Sequence, residues 1–169
     1  MTTQQAEIVE LEELTGKKIK VYFILISEEE LTIYDKFLEE NQEQFEDEVV
    51  DITNRIEVIA KHTGLRDDFI KAGEGDLGNG VHAFYDKPES NLRLYFIQFG
   101  NVAIVLGGGG HKPKTIRRLQ DDPKLKDENY FLRKVSVVLA DAVREGTLSV
   151  TDEGLESPTG FTYTINDDE

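Results

Sequence analysis

The chain has 169 residues, 38% of them hydrophobic and 31% charged, and a formal net charge of -15. That length suffices for one hydrophobic core, and the absence of cysteine excludes disulfides and thiolate metal sites. A charge this negative opposes long-range approach to nucleic acid, so direct DNA binding is not expected and any RNA contact needs a local basic face.

The charge is unevenly spread. The first 60 residues hold 16 acids against 5 Lys/Arg, residues 61–150 hold 12 against 14, and residues 151–169 hold 6 acids and no base. A basic partner is therefore drawn to the two acidic ends. No apolar run reaches the ~18 residues that a membrane span needs, and Met1–Glu7 lacks a basic and an apolar signal region. These features predict a cytoplasmic protein with no membrane contact, built as a single domain over 1–169 with poorly ordered ends at 1–16 and 166–169.

Residues 1–16 are polar and acidic and read as a short helix or loop. Lys18–Ile26 is apolar and rich in β-branched and aromatic residues, which predicts a strand. Ser27 followed by Glu28, Glu29 and Glu30 reads as a capping box opening a helix through Leu31, Tyr34, Phe37 and Leu38. Phe45, Val49, Ile52, Ile56 and Ile59 form one apolar helical stripe, and Gly64 is placed to end that helix. Its acids read as a solvated face.

Residues 65–80 read as an irregular connection punctuated by glycines, without the ligand spacing of a calcium loop. Val81–Tyr85, Leu92–Phe99 and Val102–Leu106 then predict three strands in an antiparallel meander. A helix from about Asp127 to Glu145 follows, ended by Gly146. Thr147–Val150 and Phe161–Ile165 complete the chain as two short strands around a turn at Gly154 to Gly160. The fold class is α+β, with an antiparallel sheet of about four or more strands packed by helices.

The candidate chemistry gathers after the third meander strand. Gly107 to Gly110 lead into His111, Lys112, Pro113, Lys114, Thr115, Ile116, Arg117 and Arg118, four cations within eight residues of an acidic chain. The spacing fits neither a P-loop nor a dinucleotide fingerprint. Two readings stay open: Gly108, Gly109 and Gly110 with Arg117 and Arg118 cradle an anion, or the glycines only turn the chain in a bend that lets strand and helix pack closely. The scattered His62, His82 and His111 lack metal-ligand spacing, and no metal or cofactor is expected. Arg93 shares a strand face with Tyr95, where a covered guanidinium needs an anionic partner.

The order strand, helix pair, meander, basic segment and helix resembles the RelE/ParE/HigB toxin superfamily, including its phage-derived Gp49-like branch. The residues concerned are Val81 to Tyr85, Leu92 to Phe96, Val102 to Leu106, and Lys112-Pro113-Lys114-Thr115, within roughly residues 45–145. The resemblance implies a RelE-like fold and an endoribonuclease of a toxin–antitoxin pair acting on ribosome-associated mRNA. It makes Arg93, Lys112 and Lys114 the cationic stabilisers and gives His111 or Tyr95 a part in proton transfer. The partner it implies is an antitoxin-like protein. The acidic charge points instead to a non-catalytic interaction module of the same fold, binding a partner through its acidic surfaces.

Overall fold

The computed structural model describes residues 3–65, 80–85, 91–112 and 122–166. Six strands form one mixed, mostly antiparallel sheet in the order β3-β4-β5-β2-β1-β8. In chain order these are β1 (Thr3–Glu10), β2 (Lys20–Ile26), β3 (Val81–Tyr85), β4 (Leu92–Phe99), β5 (Ala103–His111) and β8 (Thr162–Asn166). A separate hairpin joins β6 (Ser149–Thr151) to β7 (Gly154–Glu156). The helices are α1 (Ile33–Asn41), α2 (Glu46–Val58, prolonged by one π turn over Ile59–Thr63) and α3 (Pro123–Glu145).

The sheet is sandwiched. On one face Ala6, Ile8, Tyr22, Ile24, Tyr95 and Val105 pack against Leu125, Leu132, Val135 and Leu139 of α3. On the other, Val21, Leu92, Leu94, Phe96, Ile104 and Leu106 meet Tyr34 and Phe37 of α1 and Ile52 and Ile56 of α2. The stripe predicted for α2 is buried, with Ile56 at 0% exposure. The α1–α2 layer stops short of one edge: Gln5, Glu7, Thr162 and Thr164 stay exposed there.

Several expectations need correction. Residues 3–10 are not helix or loop but β1, zipped between β2 and β8, with Ala6 and Ile8 as its buried face. Ser27 does not cap a helix; Glu28 takes a left-handed φ of 73° in a turn, and α1 begins at Ile33 with Thr32 as its cap. There the Thr32 hydroxyl accepts from the Asp35 amide at 3.0 Å, closing a capping box. Helix α3 starts earlier than expected, at Pro123, with the Asp122 carboxylate accepting from Leu125 N. The two last strands do not pair with each other; β6 takes β7 and β8 takes β1.

One pairing sets up the site. β2 runs parallel to β5, and their ladder covers only Lys20–Phe23 against Ala103–Leu106. Both strands continue, to Ile26 and His111, but part company where the glycines begin. In β5 the register against β4 also slips, between Leu94–Gly109 and Phe96–Leu106, so β5 carries one extra residue there.

Candidate functional site

Arg93 and Tyr95 lie on the α3 face of β4 by strand alternation, at 3% and 0% exposure. One guanidinium nitrogen of Arg93 donates to the Leu92 carbonyl at 3.0 Å, and both residues make further interactions. His111 ends β5 opposite Leu92, on the α1–α2 side, where its ring lies 4.7 Å from that of Phe45. Lys112 donates its amide to the Asn91 carbonyl at 2.7 Å, and Asn91 in turn donates to Glu48 at 3.0 Å. The structure thus brings Arg93 and Tyr95 together and sets His111 on the opposite face. Lys114, Arg117 and Arg118 lie outside the described residues.

Gly107 to Gly110 are buried strand, not an open loop. A side chain on Gly107 would meet Leu132 of α3, and one on Gly110 would meet Lys124 and Leu125. One on Gly108 would collide with the Glu128 carboxylate and crowd Ile33. Without side chains, this end of β5 admits both α1 and α3. Gly109 and Gly110 pair with Leu94 and Arg93 in the sheet.

A cleft of about 230 Å³ opens above Gly108 and Gly109, at the carboxyl ends of the parallel strands β2 and β5. Such a crevice between diverging strand ends is a common place for ligands in sheets with parallel pairs. Ile26, Ile33, Phe37 and Phe131 line it together with Lys36, Glu40, Lys124, Asp127 and Glu128, and the Glu128 carboxylate lies against the Gly108 backbone. Lys124 bridges the helices, 2.7 Å from Glu128 on α3 and 3.1 Å from Glu40 on α1. Partial burial opposes the Lys124 charge, yet the two carboxylates outweigh it and hold this ammonium above the ordinary lysine value. Lys36 pairs with Glu29.

Two further hollows adjoin this cleft. One, of about 320 Å³, lies between the open face of β1 and the turn after β2, over Gln5, Glu7, Leu25, Ile26 and Ser27. The other, of about 440 Å³, follows that turn through Glu28, Glu29, Glu30 and Leu31 to Lys36. Ile26 lines both the first and the second hollow, Glu28 and Glu29 the second and the third, and Lys36 the first and the third. Seven carboxylates line the three hollows against two lysines, and both lysines are already paired with carboxylates.

Sequence reasoning passed over this surface because Glu28–Glu30 were assigned to a helix start. Asp127 was read only as the start of a helix. The available signal was the spacing of Lys124 and Glu128, one helical turn apart beside a strand of glycines. Among the described residues, no three His, Asp or Glu side chains come together as metal ligands, and no helix is long and apolar enough to cross a membrane. The molecule is an α+β protein whose helices flank a mixed sheet and whose parallel strand ends open into an acidic depression. No family model, curated protein or solved structure matches the chain.

Proposed function

We propose that this protein is a non-catalytic interaction module of RelE-like fold that binds a basic protein partner through the depression around Ser27–Leu31. The observation that carries this reading is the excess of carboxylates over lysines, seven against two, around three neighbouring hollows that also expose Leu25, Ile26 and Phe131. An apolar floor supplies contact area, and the rim steers and selects a partner of opposite charge. The order β2-α1-α2-β3-β4-β5-α3 supports the resemblance to the RelE/ParE/HigB superfamily, in which an antitoxin-like chain would be such a partner.

A titration of the isotope-labelled protein with a short lysine-rich peptide, followed by amide NMR shifts, tests the reading. Shifts should cluster on Gln5, Glu7 and Leu25–Leu31 and vanish when Glu28, Glu29 and Glu30 are all changed to lysine. Shifts of equal size at the remote Glu12 and Glu13 would reduce the effect to general electrostatics and sink the proposal.

The ribonuclease reading draws on one observation, that Arg93 and Tyr95 share a face of β4. Their burial is an obstacle, since a group must reach the scissile phosphate to act on it. Growth arrest on expression, relieved by Lys112→Ala and Arg93→Ala in proteins that still fold, would favour cleavage of ribosome-associated mRNA over the binding module.

A further inference from the structure

We infer that the cleft over Gly108 and Gly109 is a receptor for an alkylammonium group, supplied either by a lysine side chain of a basic partner or by a free aliphatic amine. The partner arm rests on the interaction reading above; the free-amine arm does not. Three observations converge on this chemistry.

The first is charge. Lys36 is matched by Glu29, and Lys124 is divided between Glu40 and Glu128. With Asp127 added, the mouth of the cleft keeps an excess of carboxylate over ammonium. An incoming cation relieves this repulsion and an incoming anion aggravates it.

The second is shape. Ile26, Ile33 and Phe131 give methylenes an apolar wall, with the Glu128 carboxylate against the Gly108 floor and Glu40 and Asp127 exposed beside it. A long aliphatic cation can lay its stem along such a wall and set its charged head among the acids. A compact inorganic cation has no use for the wall.

The third is a demonstration within the chain itself. The Lys124 ammonium sits between carboxylates from two different helices, so the rim already holds one primary amine in the intended way. The glycine floor is what permits this, because a Gly108 side chain would take the space of the Glu128 carboxylate.

The test uses the whole chain and three probes: pentylammonium, the neutral isostere 1-pentanol, and the lysine-rich peptide. Pentylammonium should shift the amides of Gly108, Gly109 and Phe131 saturably, and pentanol should not. Asp127→Asn and Glu40→Gln, both at exposed positions, should each weaken pentylammonium binding roughly two- to fivefold, the size of one exposed charge pair. Loss of binding in Lys124→Glu with retention in Lys124→Met would show that the sign of the rim charge is not what matters, and would overturn the inference. So would equal binding of the amine and the alcohol, or no amine binding at all. If the peptide shifts Glu28–Glu30 while neither probe reaches Gly108, this inference fails and the interaction reading stands. If the amine binds and the peptide does not, the receptor stands and the interaction reading fails.

Discussion

Gly109 shows how a residue's role can differ from what its type suggests. Four consecutive glycines read as a turn, because glycine gains nothing from strand burial and costs backbone entropy. The structure places them in β5 because two helices and a neighbouring strand leave no room for side chains. A β-carbon on Gly109 would overlap the Arg93 carbonyl group, which belongs to the β4 backbone and cannot swing away. Gly109→Ala should therefore cost about 1–3 kcal/mol in denaturant unfolding. Gly110→Ala, whose added carbon would lie 3.3 Å from the flexible Lys124 side chain, should cost much less. Equal losses would mean that backbone entropy, not space, explains the glycines. Tyr34 allows a second residue-scale test. Burial raises its hydroxyl above the ordinary 10.0, against the lowering effect of its 2.9 Å hydrogen bond with Thr53. The unfolded tyrosine loses its proton first, so this contribution is fully present below pH 10 and disappears as the pH climbs beyond it. Tyr34→Phe should flatten part of the alkaline fall in melting temperature while costing about 1 kcal/mol near neutrality through the lost hydrogen bond. An unchanged alkaline slope would assign that fall to other groups.

At the scale of elements, the parts with strong periodicity were legible and the parts held by pairing alone were not. The stripe of α2 and the meander follow from apolar spacing, and Gly146 does take the left-handed conformation that ends α3. Strand β1 was not legible, because only Ala6 and Ile8 mark its buried side and its stability comes from lying between β2 and β8. The start of α1 was ambiguous for a specific reason. Ser27–Glu30 and Thr32–Asp35 both match a capping pattern, and the left-handed turn at Glu28 leaves only the second able to start the helix. Thr32→Ala should therefore destabilise the protein by about 1 kcal/mol, whereas Ser27→Ala should stay within about 0.5 kcal/mol of the parent. A larger loss from the serine would relocate the helix start. Ile52→Asp sets the scale for the α2 layer. At 1% exposure it would bury an unpaired carboxylate, and a loss of at least about 3 kcal/mol is expected from thermal or chemical unfolding. A variant that melts like the parent would remove α2 from the core.

The depression itself exists only at the scale of the whole molecule. Glu7, Glu28–Glu30, Glu40, Asp127 and Glu128 are separated by as much as 121 positions, and only the mixed sheet brings them around three neighbouring hollows. No local window of sequence contains that arrangement, whereas the acidic bias of the first 60 residues was plain from composition. Concentrating carboxylates this way works against folding, since like charges repel more in the compact state than in the expanded chain. Added salt should therefore stabilise the protein. Between roughly 0.01 M and 1 M ionic strength the screening length falls from about 30 Å to about 3 Å, which removes long-range repulsion but also weakens exposed pairs such as Lys36–Glu29. Exposed pairs contribute less than about 1 kcal/mol each, so the repulsion should dominate in a chain of net charge -15. A gain of ~1 kcal/mol would appear as a rise of about 2–4 °C in melting temperature at this length. Capture of a lysine-rich peptide should move the opposite way, weakening over the same range, because screening removes the attraction that draws a cation to the rim. Opposite salt responses of folding and binding are the signature of an acidic surface kept for a partner at some cost to the fold. A melting temperature that falls with salt would show that the carboxylates are mutually compensated by internal ion pairs, and that the rim has no charge to spare for a ligand.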